Sequence, residues 1–229
     1  MRKDLAFALR SMARNPGLFS LAALTLAIGI GANTAMFSVI HSVLLRPLPY
    51  RDADRLVMIW ARIPRLGVQN AFVEYHTFTD WWRARSRSFE AMSAYTPSPV
   101  NLTSGEQPQR LRMLRVSAGH FPMFGTRPAL GRDFLAEEDR PGAPRVAILS
   151  DGLWKRRFGA DPSILGRPIV LDNNSYTVIG VLRSDFDLHR EDVFTTIAHS
   201  GARESGMPAV GVYARLKRGV SLASAQADI

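Results

Sequence analysis

The residues that could do chemistry fail in turn when their partners are sought. Gly29-Ile30-Gly31 has the opening of a dinucleotide-binding turn, with Asp52 or Asp54 about twenty residues on. Thr34 stands where the third glycine belongs, and the apolar run continues where a helix N-terminus should meet pyrophosphate. No Gly-Lys dipeptide occurs, so there is no P-loop. The five histidines, His41, His76, His120, His189 and His199, lie at no metal-ligating spacing and read as surface or structural groups. Asp133, Glu137, Glu138 and Asp139 form the densest acidic cluster. A calcium loop needs alternating oxygen ligands around a glycine turn, so this segment reads as solvated loop. Gly219-Val220-Ser221-Leu222-Ala223 lacks the closing glycine of a nucleophile elbow, and Ser221 reads as a helix N-cap. Cysteine is absent, which removes thiolate chemistry, thiolate zinc sites and disulfides. The expectation is a protein that is not an enzyme, with no catalytic residue, cofactor or metal.

What remains is packing chemistry. Ala23, Ala27, Gly31 and Ala35 fall four apart, a helix-packing strip of small side chains that lets another backbone come close in lipid. The strip lies in the stretch Pro16 to Leu45, which carries no Asp, Glu, Lys or Arg. About 28 helical residues reach roughly 42 Å, more than the roughly 30 Å hydrocarbon core of a bilayer. Residues 17–46 are therefore read as a transmembrane helix. Residues 1–16 precede it as an amphipathic segment, with Leu5, Leu9 and Met12 at helical spacing and Arg2, Lys3, Arg10 and Arg14 elsewhere. A cleaved signal peptide fits less well, because the apolar run is about twice a signal core and no A-x-A site closes it. Basic residues flank both ends, so charge alone does not fix the orientation.

Beyond Pro47 the pattern changes to that of a folded domain. Leu56 to Ile63 has strand content, and Phe78 to Tyr95 spaces its aromatics as one or two helices would. The paired Trp81 and Trp82 read as core rather than interfacial belt. Short strands are expected at Val100–Thr103, Arg110–Val116, Val146–Leu149 and Ala209–Lys217, and short helices at Gly119–Phe124 and after Ser150 or Asp151. Asp172-Asn173-Asn174-Ser175 is a hairpin turn between Arg167–Leu171 and Tyr176–Leu182. With no βαβ repeat, the class is α+β: one N-terminal transmembrane helix, then a two-lobed mixed α+β extracytoplasmic domain. The final helix has barely begun at Ile229, so the chain reads as the front of a longer parent. The formal charge is +9 and the pI about 10.7. The arginines form no helical stripe, so nucleic acid is not the expected partner, and anionic headgroups account for the excess.

Five stretches together carry a family likeness. Asp4–Gly17 and Leu24–Tyr50 resemble the entry and first helix of MacB/FtsX-type ABC transporter permeases. Val116–Phe134 and Glu137–Leu182 resemble the periplasmic core domain of that family, and Tyr213–Ile229 is similar to the strand and helix on which it returns to the membrane. The resemblance implies a cytoplasmic N-terminus at the bacterial inner (cell) membrane, and residues 47–229 as a MacB-like periplasmic core domain of two α+β lobes. It also implies a cytoplasmic ABC ATPase, further permease helices or a second permease copy, and a periplasmic partner. The implied function is export, or transmission of force to the envelope. In that scheme the stretch Ser38 to Leu45 passes motion between membrane and domain. The later membrane helices, the cytoplasmic coupling loop and the ATPase of such systems are not in this sequence, so it should transport nothing alone. The alternative reading is a single-pass tethered binding or sensor module. A membrane-anchored hydrolase is a distant third.

Overall fold

The computed structural model describes residues 16–40, 50–82, 86–104, 107–186, 188, 190–199 and 209–229. The amphipathic segment expected over residues 1–16, apart from Pro16 itself, and residues 41–49 lie outside these, and with them His41 and most of the proposed stalk. The chain divides into two units, Met1–Pro49 and Tyr50–Ile229.

In the first unit the described residues form an α-helix, α1, over Pro16–Ile40, without one charged residue. Pro16 is suited to its first turn, where a missing N–H costs nothing. Leu21, Leu24, Leu26, Ile28, Ile30, Met36 and Phe37 are all exposed, so apolar surface points outward in every direction. Thr25 Oγ1 returns a hydrogen bond to Leu21 O at 2.8 Å, which satisfies its hydroxyl within the helix. Ala23, Ala27, Gly31 and Ala35 are exposed as well, and a Cβ added at Gly31 would meet nothing within 4 Å. Among the described residues no helix is long and apolar enough to cross a membrane. The membrane assignment of residues 17–46 thus rests on the sequence of the whole stretch.

The second unit is sheet-rich. Its strands are β1 Leu56–Ile59, β2 Ala61–Ile63, β3 Val68–Ala71, β4 Phe89–Pro97, β5 Val100–Leu102, β6 Gln109–Leu111 and β7 Met113–Val116. They continue with β8 Leu130–Gly131, β9 Val146–Leu149, β10 Pro168–Leu171, β11 Asn174–Val181, β12 Val193–Thr196 and β13 Gly211–Leu216. Among the described residues, short α-helices accompany them: α2 His120–Met123, α3 Asp151–Phe158 and α4 Leu222–Ala227. One sheet takes the order β1-β13-β4-β7-β12-β9-β11-β10-β5-β6, with β8 on β11, and β2-β3 forms a separate ribbon. The pairing is antiparallel except for β12 with β7 and β11 with β9. This is the mixed α+β class that the sequence indicates.

The path of that sheet explains how it closes a core. Only Ser98 and Pro99 separate β4 from β5, and only Arg112 separates β6 from β7. Yet β4 pairs β7 in the middle of the order, while β5 pairs β6 at its far end, next to β10. The sheet must curl for two bent strands to serve both places. Ser98 N donates to Met113 O at 2.8 Å and keeps the bend hydrogen-bonded. Leu102, Leu111, Met113, Leu149, Ile169, Leu171 and Val178 fill one core under α3. Phe78, Phe89, Val210, Val212 and Ala214 fill another, with Ala225 of α4. Phe121, Phe134, Ile148, Leu182 and Phe194 form an aromatic core between strands. β9 and β12 are buried along their whole length, as strands covered on both faces must be.

Local chemistry sets several boundaries. Ser150 Oγ accepts from Leu153 N at 3.1 Å and starts α3, which Gly159 ends in the left-handed region. Ser221 caps α4 in the same way, through Ser224 N at 3.1 Å. Asp172 and Asn173 both take positive φ, the tight turn that the right-handed twist of a hairpin requires. One expectation fails in part: of the helix or helices expected over Phe78 to Tyr95, Thr77–Trp82 is a π-helical turn, but residues 89–97 are β4. The aromatic spacing was satisfied by a turn followed by a strand, and the buried Ser93 and Thr96 hid the alternation of β4.

Candidate functional site

Among the described residues no group of three or more His, Cys, Asp or Glu could hold a metal ion. His76 is exposed and 3.3 Å from Glu74. His120 is wholly buried at the start of α2, with Nδ1 2.8 Å from Ser93 Oγ. Ser117 Oγ lies 3.1 Å from Ser93 Oγ and accepts from Ala94 N at 3.0 Å. A serine touching a histidine is the contact a hydrolase uses. Here Ser93 and His120 are both 0 % exposed, and the rings of Phe121, Phe124 and Tyr213 surround the imidazole, so no substrate carbonyl reaches the hydroxyl. The cluster cross-links β4 to the loop that carries α2. His189 and the side chain of His199 lie outside the described residues.

The acidic cluster differs from the solvated loop the sequence suggests. Glu138 is buried, and its carboxylate takes Arg132 at 2.6 and 2.9 Å and Leu135 N at 2.8 Å. Asp139 accepts from Ala118 N at 3.0 Å and Ala198 N at 3.2 Å, joining the segments that follow β7 and β12. The Asp133 carboxyl accepts from Phe134 N at 2.7 Å, and burial pushes it up to about 6. Glu138 thus braces the loop after β8 from within, and Asp139 ties it to the segments that follow β7 and β12. Sequence spacing carried no sign of the Asp139 ties, because their partner amides lie 21 and 59 positions away.

The arrangement most suited to function is where the chain enters and leaves the second unit. Tyr50 packs edge-on against Phe124 and Phe186, with centroids 5.4 and 6.0 Å apart. Asp52 adopts positive φ, and Arg55 then reaches Asp52 at 3.0 Å, the Leu216 carbonyl through Nε at 2.9 Å, and Glu90. Arg215 of β13 is buried and donates to the Met123 carbonyl at 3.1 Å and the Asp52 carbonyl at 3.2 Å. Burial, with Arg55 nearby, lowers its affinity for the proton, but a guanidinium stays charged in this range. At the other end Asp228 accepts from Ser86 Oγ, Arg87 N and Ser88 N at 2.7, 2.8 and 2.9 Å. Entry and exit segments are therefore both bonded to the paired strands β4 and β13 or to their flanks. Both segments are held to the sheet by charge-assisted bonds.

The bonds to Asp228 pull its carboxyl down to about 2. A folded value below the ordinary 3.8 means that the clamp is fully present above about 3.8 and is lost as the pH falls through about 2. Asp228→Ala is expected to release the amides of Arg87 and Ser88 to rapid hydrogen exchange at neutral pH. Unchanged protection would show that the clamp constrains nothing.

The comparisons with known proteins agree with this architecture. No curated protein matches the chain. The solved periplasmic region of MacB from Actinobacillus actinomycetemcomitans is similar at a TM-score of 0.57 and 13% identity, covering 75% of this chain and 78% of that one. The extracellular domain of the ABC-type transporter YknZ from Gram-positive bacteria is similar at 0.54 and 14% identity, covering 74% and 86%. At these identities the likeness is one of fold. The family model for the MacB-like periplasmic core domain matches residues 19–229, and the chain belongs to that family.

Proposed function

We propose that this chain is an anchored membrane permease component, or a fragment of one, in an ABC-type system, whose outer domain moves when a cytoplasmic ATPase drives the membrane helices. The observation that carries the reading is the family match over residues 19–229. An exported core domain of this kind needs an anchor, and the sequence supports one: the stretch Pro16 to Leu45 carries no Asp, Glu, Lys or Arg, and α1 within it turns leucine, isoleucine and phenylalanine outward. In this reading residues 17–46 span the inner membrane, the N-terminus is cytoplasmic, and residues 47–229 stand outside. Ala23, Ala27, Gly31 and Ala35 give the packing face for further permease helices or a second permease copy. The bonded entry and exit segments would carry helix motion into β4 and β13, and from there to a partner in the envelope. Export or force transmission then follows from displacement, with no chemistry at the domain itself.

The test is capture of the motor. The chain, expressed in its full reading frame with cytoplasmic ATPases from the same source, is expected to co-purify in detergent with one of them and to alter its hydrolysis rate. A correctly inserted chain with all its spans that captures no ATPase would overturn the permease reading, and the outer domain would then be screened for ligands as a tethered receptor.

A further inference from the structure

The ribbon β2–β3 does not fit the rest of the second unit. No described side chain from Ala61 to Ala71 is buried, although the segment is a hydrogen-bonded hairpin with a bulge between Ala61 and Ile63. Only its base is covered, where Ala61 packs on the core and Phe72 meets Tyr95 edge-on, and a two-stranded ribbon covered so little is marginal in water. Its exposed apolar groups are large: Trp60, Ile63, Val68 and Phe72 are each 38–39 % accessible. Trp60 and Phe72 stack in parallel, centroids 5.9 Å apart and planes within 3°, forming a flat shelf at the base of the ribbon. Arg62 and Arg65 are exposed on the same segment, and residues 60–72 contain no acidic residue. Beside the shelf a groove of about 280 Å³ is lined by Met58, Trp60, Arg62, Leu222 and Ile229 among others.

We infer that the Trp60–Phe72 ribbon docks on the surface of an anionic lipid bilayer, with the stacked aromatics at headgroup level and Arg62 and Arg65 against lipid phosphates. Aromatic rings with guanidinium groups and no carboxylate are the composition that a headgroup interface selects. The charge complementarity favours this occupant over an apolar protein surface, which would leave two arginines without counter-charge. The inference rests on the anchor reading above only in that α1 keeps the second unit near a membrane.

The experiment uses the full chain reconstituted into vesicles of phosphatidylcholine containing phosphatidylglycerol, with brominated acyl chains as the quencher of tryptophan emission. The Trp60 contribution is the wild type minus Trp60→Phe, a mild change at a partly exposed site. Lipid quenching of that contribution is expected, weaker when phosphatidylglycerol is left out. Arg62→Gln with Arg65→Gln is expected to lower the docking equilibrium roughly thirty-fold. Quenching by aqueous iodide but not by brominated lipid would overturn the inference, as would protection from both, which is the mark of a protein occupant. Resistance of the chain to alkaline extraction reads the anchor separately. An extractable chain whose Trp60 is still lipid-quenched would sink the anchor and leave the ribbon's docking intact.

Discussion

Gly131→Ala is expected to destabilise the second unit by about 2–5 kcal/mol, a large part of the 5–15 kcal/mol that an ordinary domain possesses. Gly131 sits in β8 with φ of 74°. An added Cβ would lie 2.1 Å from the Ile179 carbonyl oxygen, 2.9 Å from Leu165 Cδ2 and 3.0 Å from Gly180 Cα. Two of those atoms belong to the backbone of β11, so a rotamer change cannot make room. The only relief is to open the β8–β11 pair, Gly180 with Gly131 and Val181 with Leu130. That would also loosen the Arg132–Glu138 bridge and the loop whose Asp139 joins the segments after β7 and β12. Gly142→Ala separates strain from clash: its φ is 79°, but a Cβ there would meet nothing within 4 Å. It should cost only the left-handed penalty, about 1–2 kcal/mol. Thermal unfolding of the detergent-solubilised chain, followed by near-ultraviolet dichroism, reads both variants. Equal losses at the two glycines would mean that the close approach of β8 to β11 contributes nothing.

How much of this was legible in the sequence depends on the range of the interaction. Caps and turns were, because their signals lie within four residues: Ser221 caps as expected, Ser150 is the cap of the pair Ser150 and Asp151, and the hairpin at Asp172–Asn173 is where the turn residues cluster. Val146–Leu149 was legible because a short apolar run admits few other fates. β12 was not, since Val193–Thr196 has neither alternation nor length, and it is a strand because β7 and β9 flank it. Phe78 to Tyr95 misled for the complementary reason: its aromatic spacing suits a helix, while the partners of β4, the strands β7 and β13, lie farther along the chain. The entry joint was invisible too. Nothing near Arg215 announces that its guanidinium binds the carbonyls of Met123 and Asp52, 92 and 163 positions away. The family likeness reached further than the residue reading because it carries the order of all these pieces at once.

Asp133→Asn is expected to change how stability depends on pH. The carboxyl is half-buried, with Oδ1 bonded to Phe134 N and Oδ2 enclosed without a hydrogen bond among the described residues. Burial raises it from 3.8 to about 6, against the opposing pull of the Phe134 amide, Arg127 and Arg132, and with a small push from Glu138. A folded value above the unfolded one means that the folded state holds its proton more tightly. Stability is therefore greatest below about 3.8, falls as the pH rises to about 6, and is flat beyond. The distance between those two values sets an upper bound of about 3 kcal/mol, which water on the open side of the group reduces to about 1–2 kcal/mol. Asparagine keeps the acceptor for Phe134 N and cannot ionise. The variant should therefore gain on the wild type by about 1–2 kcal/mol between pH 4 and pH 7. Subtracting the two curves cancels the titration of Glu138, Asp139 and every other shared acid. Denaturant unfolding at a series of pH values measures the difference. Parallel curves across that interval would mean that Asp133 titrates in the folded protein as it does in the unfolded chain, and that the enclosed oxygen is reached by water.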